Sequence, residues 1–212
     1  MNSSLLSQTA QIYGKRADNY ETRWSGYLTH THQKFLAEVS IAPGEVILDL
    51  SCGTGLLAQH IIDRRDTFQK LVLNDISAKM QQYARNRLAT QKDTVFTSFP
   101  AGSIDFPAAA FDKIFCLNAF HNYPNQPQVL NECYRSLKPG GALFVLDWNR
   151  SGGFRPINWL ISKTGAEHIN TRSASEMRTL LKKHSFSLSF TSEWYFRYWK
   201  FFYAIGKKED KE

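Results

Sequence analysis

Val46-Ile47-Leu48-Asp49-Leu50-Ser51-Cys52-Gly53-Thr54-Gly55 decides the fold. Its unbroken apolar run, residues 46–48, reads as a parallel strand buried on both faces. The run ends at an acidic residue, then small residues and two glycines. Leu56-Leu57-Ala58-Gln59-His60-Ile61-Ile62 follows with its apolar residues spaced for a helix. Strand, glycine turn and helix open a nucleotide-binding βαβ unit. Glycine lets the backbone turn tightly and lets a ligand approach where a Cβ would block it. The helix start leaves N–H groups free for an acceptor. The next strand, Leu71-Val72-Leu73-Asn74, ends at Asp75, 20 positions after Gly55. A nucleotide site places a carboxylate there to accept both ribose hydroxyls.

Farther out, Ser77 is a good N-cap for a helix to about residue 89, with Met80, Tyr83, Ala84 and Leu88 facing inward. Residues 94–98 alternate as a third strand, and 113–117 read as a fourth. A helix over 126–137 is stopped by Pro139-Gly140-Gly141, before a fifth strand at 142–146. Residues 148–171 read as a polar insertion with an apolar patch at Ile157, Trp159, Leu160 and Ile161. A helix over 173–184 and two antiparallel strands, 186–194 and 198–205, close the chain. Toward the N-terminus, Tyr13, Ala17, Tyr20 and Trp24 fall on one helical face by their spacing. Residues 27–39 continue as a helix that buries Leu28, Phe35 and Leu36.

The 212 residues, 42% hydrophobic and 21% charged, suit one globular domain with a sizeable core. No apolar run is long enough to span a bilayer, and no secretory signal opens the chain. Cys52, Cys116 and Cys133 lack paired metal-ligand spacing and read as free thiols of a cytoplasmic protein. The net charge of +7 is scattered, and Glu209, Asp210 and Glu212 oppose Lys207-Lys208. A solvated surface is favoured over a nucleic-acid patch.

Four pieces together resemble the class I S-adenosylmethionine-dependent methyltransferases of the small-molecule type. They are residues 48–55, Asn74-Asp75-Ile76-Ser77-Ala78-Lys79-Met80, Phe111-Asp112-Lys113-Ile114 and Leu137-Lys138-Pro139-Gly140-Gly141, in the family's order and spacing. The resemblance implies an α/β, Rossmann-like, doubly wound sheet of seven strands. The sheet is mostly parallel with an antiparallel C-terminal hairpin strand, and helices lie on both faces. It implies one methyltransferase domain: an N-terminal helical lid (1–42), a cofactor core (43–147), a lid insertion (148–171) and a closing helix and hairpin (172–212). The implied cofactor is S-adenosylmethionine, leaving as S-adenosylhomocysteine, with no metal. Asp75 accepts the ribose hydroxyls, Ile76 walls the adenine slot, Asp49 holds the ammonium, and Gly53 and Gly55 allow close approach. Asn118 faces the methionine part, and Tyr20 closes over the cofactor. Ser51 stands where the family has its first glycine. After strand three, Ser98-Phe99-Pro100-Ala101-Gly102 offers no carboxylate to the adenine amine. His121 is a candidate proton acceptor beside the methyl donor.

Three rivals are set against this reading. Gly53-Thr54-Gly55-Leu56-Leu57-Ala58 satisfies a dinucleotide fingerprint, and Tyr134 and Lys138 form a Tyr-x-x-x-Lys pair, as in a nicotinamide-dependent oxidoreductase. A non-catalytic nucleotide-binding module keeps the fold alone. An RNA- or protein-directed methyltransferase changes only the acceptor. Asn118-Ala119-Phe120-His121 lacks the prolines of a DNA amino-methyltransferase, and no cysteine adjoins a proline, so a small-molecule acceptor is favoured. A monomer or homodimer is expected.

Overall fold

Ile47 and Leu48 are both fully buried, yet they belong to different core layers, so the sheet they lie in is covered on both faces. The computed structural model describes residues 3–164 and 169–210. β1 (Val46–Asp49) lies parallel between β2 (Lys70–Asn74) and β4 (Phe111–Leu117). β3 (Thr94–Thr97) continues the parallel sheet beyond β2, and β5 (Leu137–Trp148) continues it beyond β4. β7 (Trp199–Lys207) pairs antiparallel with β5 and with β6 (Ser187–Phe196). The strand order is β3-β2-β1-β4-β5-β7-β6, the expected seven-stranded sheet with its C-terminal hairpin.

One face is covered by α2 (Tyr20–Glu38), α3 (Leu56–Asp63) and α4 (Ala78–Arg87). The other carries α5 (Gln126–Ser136) and α7 (Ala174–Lys183). α4 begins where expected, with the Ser77 hydroxyl accepting from the Met80 N–H at 3.4 Å. Ser173 and Glu176 form a reciprocal capping box on α7. All three cysteines are free and buried.

Several expectations are corrected. The N-terminal helix is broken: α1 (Ser3–Arg16) ends in a 3-10 turn at Ala17–Asn19 before α2 begins. Ala17 is still buried, and the Tyr13 and Tyr20 rings still meet edge to face at 6.2 Å. Tyr83 faces outward, 38% exposed, and its hydroxyl donates to Asp18 in that turn at 2.7 Å. The inward row of α4 is Met80 and Ala84, continued by Leu88, at intervals of four. The stretch 148–171 holds more structure than a polar insertion. Trp148 completes β5, a 3-10 turn spans Gly152–Phe154, and α6 covers Arg155–Thr164. Within the expected patch, Trp159 and Leu160 face outward and Ile161 packs inward. The side chain of Ile157 lies outside the described residues.

Phe35 ties the lid helix α2 to the sheet. Its ring is fully buried and stands edge to face with Phe115 at 4.8 Å, Phe144 at 6.0 Å and Tyr203 at 6.0 Å. Truncation leaves a cavity that such a rigid cluster cannot close. Phe35→Ala is expected to lower unfolding free energy by about 3–5 kcal/mol in urea denaturation.

Candidate active site

Asn74, the last residue of β2, stitches three strand ends into one rim. Its Nδ2 donates to Leu50 O and Phe99 O, each at 3.0 Å. Its Oδ1 accepts from the Phe99 N–H at 2.8 Å and the Thr97 hydroxyl at 3.3 Å. A buried amide with this many partners fixes the backbone around it. The Cys52 N–H donates to Asn74 O at 2.8 Å, so the turn after β1 is held against β2.

Asp75, next in sequence, closes that turn. Its Oδ2 accepts from the Gly53 N–H at 2.9 Å and its Oδ1 from the Ser77 N–H at 2.8 Å. Each oxygen keeps a further lone pair. Gly53 has φ +54°, and the place a Cβ would take is open space. Gly55 has φ +76°, but there a Cβ would stand 3.1 Å from the Ala84 Cβ. Gly53 therefore borders open volume, whereas Gly55 permits α3 and α4 to pack. This corrects the expectation that Gly55 clears room for a ligand.

Three compartments open over this rim. The largest, about 730 Å³, is lined by Asp75, Ile76, Met80 and Ala101 and roofed by Leu6 and Ala10 of α1. The second, about 400 Å³, is lined by Asp49, Cys52, Thr54 and His32. The third, about 340 Å³, is walled by Tyr13, Trp24, Tyr27, His121, Trp148 and Arg16. Ser51 and Gly53 are common to the first two, while Tyr20 and Asn118 border all three. Asp49 and Asp75 thus face adjoining chambers with a shared wall.

Asn118 holds this junction by its backbone and its side chain. It has φ +56°, a left-handed conformation that asparagine tolerates better than most residues. The Trp148 indole donates to the Tyr27 hydroxyl at 2.7 Å, which donates to Asn118 Oδ1 at 2.8 Å. Asn118 Nδ2 then donates to the Thr31 hydroxyl at 3.0 Å. Both ends of this amide are engaged by α2, so it positions the lid. The Ser51 and Tyr123 hydroxyls are 2.8 Å apart, joining the turn after β1 to the segment after β4.

The charges in the chambers are unusual. Burial pushes the Asp49 carboxyl up to about 7, helped by the Asp75 charge and opposed by the Ser51 N–H. Burial also raises Asp75 to about 6, against the Ser77 and Gly53 N–H groups. Burial and the His60 charge lower His32 to about 3; their Nδ1 atoms are 3.2 Å apart. Across the rim, the Thr54 hydroxyl donates to Glu21 of α2, which pairs with Arg87 of α4 at 2.7 Å. Asp18 and Lys79 form a second pair between the same regions.

His121 stands in the aromatic chamber, buried and stacked on Trp148 with centroids 4.2 Å apart. Its Nδ1 lies 2.6 Å from Asp147 Oδ1. Asp147 also accepts from the His121 N–H at 2.7 Å and the Trp148 N–H at 2.7 Å. A carboxylate receiving these donors fixes the proton on Nδ1 and leaves Nε2 as the basic nitrogen. Tyr134 and Lys138 lie elsewhere: Lys138 pairs with Asp112 at 2.7 Å and Tyr134 packs on Phe186. Neither borders a chamber.

Asp147 and the α2 residues Thr31 and His32 carry no site role in the sequence reading. Asp147 did carry a signal, since it ends the apolar run 142–146 as Asp49 and Asp75 end theirs. The α2 residues reach the site only through tertiary packing.

The profile of the methyltransferase domain family matches residues 48–145. The demethylmenaquinone methyltransferase of Symbiobacterium thermophilum is 32% identical over 178 residues, 74% of this chain and 71% of that protein. The chain belongs to the class I S-adenosylmethionine-dependent methyltransferases. The sterol 24-C-methyltransferase of Eremothecium gossypii is 31% identical over 60% of this methyltransferase and 35% of its own length. In fold, the methyltransferase resembles a chain of the complex between the Haloferax volcanii Trm112 methyltransferase activator and the putative methyltransferase. That match has a TM-score of 0.81 and 17% identity and covers 93% and 97% of the two chains. The family assignment replaces the oxidoreductase reading, and S-adenosylmethionine is the methyl donor.

The chambers fit that donor. It is a cation at sulfur and nitrogen, and Asp49 and Asp75 are desolvated carboxylates with no ion pair among the described residues. Asn122 Oδ1 borders the largest chamber, buried and without a partner among the described residues, ready for a ligand N–H.

A carboxyl raised on folding contributes stability below its unfolded value, and that contribution is lost as pH rises through the folded value. For Asp49 the loss runs from about 4 up to about 7. Without cofactor, Asp49→Asn is expected to be more stable than the parent by about 2 kcal/mol at pH 8. The gap narrows toward pH 5, and affinity for S-adenosylmethionine falls. Urea denaturation and calorimetry check both parts.

Proposed function

We propose that the protein methylates a ring carbon of a small hydroxylated aromatic acceptor, of the quinol kind, with His121 as general base. The observation that carries this is the His121–Asp147 pair in the wall of an aromatic chamber that shares Tyr20 and Asn118 with both donor chambers. Relatives named as ubiquinone/menaquinone biosynthesis C-methyltransferases support the choice of carbon and of a quinol.

When bound, S-adenosylmethionine supplies an electrophilic methyl carbon and a good leaving group. Asp75 accepts the ribose hydroxyls, and Ile76, Met80 and Ala101 enclose adenine. Asp49 faces the ammonium, Ser51 and Gly53 let the donor lie close to the turn, and Tyr20 closes over it. Flat walls from Trp24, Tyr27 and Trp148 orient a planar acceptor. His121 Nε2 takes the acceptor's hydroxyl proton while Asp147 holds the resulting imidazolium. The ring carbon, made electron-rich, would take the methyl group that the donor supplies. The ring hydrogen then leaves as a proton to water, and the oxygen regains its proton from the His121 imidazolium. Alignment of the two chambers across Asn118 supplies much of the rate.

The test uses S-adenosylmethionine carrying a labelled methyl group and reduced naphthoquinones that lack the ring methyl. Label should appear on ring carbon. His121→Ala and His121→Gln should each lower kcat by about 10²–10⁴-fold while donor affinity holds within about threefold. Full activity in both variants, or label on no hydroxylated aromatic at saturating donor, would remove the assignment. Asp75→Asn should instead weaken donor binding by about tenfold or more, because its loss leaves the ribose hydroxyls poorly matched.

A further inference from the structure

Six large apolar or aromatic side chains are exposed among the described residues, and four of them lie on α6 and the β6–β7 tip. Trp159 is 61% and Leu160 53% exposed on α6; Tyr195 is 54% and Tyr198 57% exposed at the hairpin end. The two regions adjoin. The turn before α6 carries Phe154, whose ring meets Trp199 at 5.1 Å, and Ser151, which accepts from Lys200 at 2.8 Å. Ile161 of α6 packs into the same core layer as Trp194, Phe196 and Trp199.

The charge of this region is predominantly positive. Residues 150–164 and 194–208 contain no Asp or Glu. Arg155, Lys163 and Arg197 are exposed there. The neighbouring acid, Glu193, is taken up by Lys200 at 2.8 Å and by the Asn149 amide at 2.9 Å. Tryptophan, tyrosine and leucine interleaved with arginine and lysine suit the headgroup zone of a bilayer, where rings sit at the interface and cations meet phosphates. An acidic protein surface would match the cations but not the outward Trp159 and Leu160. The face is also continuous with the aromatic chamber. Trp199, at its inner edge, packs on Trp148 at 4.7 Å and Trp24 at 6.1 Å, and both wall that chamber.

We infer that α6 and the β6–β7 tip form a docking face for an anionic lipid surface. Short aromatic side chains insert only to headgroup depth, and the arginines and lysine supply reversible attraction. The contact is peripheral: no described helix is long and apolar enough to cross a membrane. This docking stands apart from the acceptor assignment, since it concerns where the protein sits and not which atom it methylates.

The test is co-sedimentation of the full chain with phosphatidylcholine vesicles, with or without about 30 mol per cent phosphatidylglycerol. Partition should be about tenfold stronger with the anionic lipid and should collapse in about 0.5 M salt. Arg197→Glu should weaken it about fivefold or more, and Trp159→Ser with Tyr198→Ser should weaken it similarly. S-adenosylmethionine affinity, measured by calorimetry on the same variants, should stay within about twofold and so report intact folding. Four results would overturn the inference: binding to neither vesicle, equal binding to both, binding unmoved by the variants, or loss in the variants of a lipid-independent dimer. Loss of ring methylation with docking intact would strike the acceptor assignment alone.

Discussion

Two carboxylates withdrawn from water without a counter-ion set the terms for the rest of this structure. Burial resists the ionisation of both Asp49 and Asp75, and Asp49 also feels the charge of Asp75 across the rim. Such a pair is tolerable only where the backbone holds it and a cation completes it. The Ser51, Gly53 and Ser77 N–H groups do the holding. Asn74 fixes the strand ends from which those groups project. The resting protein therefore keeps an electrostatic deficit that its donor, a sulfonium bearing an ammonium group, is suited to relieve.

The chambers are coupled through the lid. Trp148, Tyr27, Asn118 and Thr31 form one line of hydrogen bonds from the acceptor side to α2. Tyr20 begins that same helix and borders every chamber. A change in how α2 sits is thereby felt by all three chambers together. The Phe35 cluster anchors the C-terminal part of α2 to the sheet, and the contacts of Glu21 with Thr54 and Arg87 hold its first turn.

Strand-tip chemistry was legible in the sequence because it is local. An apolar run that ends in an acid and a glycine turn places Asp49 and Gly53, and a second run that ends in an acid places Asp75, with little help from the rest of the chain. The sheet followed from the order of such runs. Asp147 has the same strand-end position, but its role comes from His121, 26 positions away in the chain and 2.6 Å away in space. The two roles of Gly53 and Gly55 could not be separated without α4, because only Ala84 distinguishes them. Helical spacing points Tyr83 inward, but its hydroxyl bonds Asp18 in a turn that the spacing does not reveal. The residues α2 brings to the site are separated from their partners by up to 121 positions, beyond the reach of any local pattern.

Thr54 sits in the glycine turn and also grips Glu21, which Arg87 clasps from the other side. The first turn of α2 is therefore fastened to the glycine turn and to α4 by a part-buried ion pair. Water and dissolved salt compete for those ions. The grip of α2 on the glycine turn therefore slackens as the electrolyte around the protein rises.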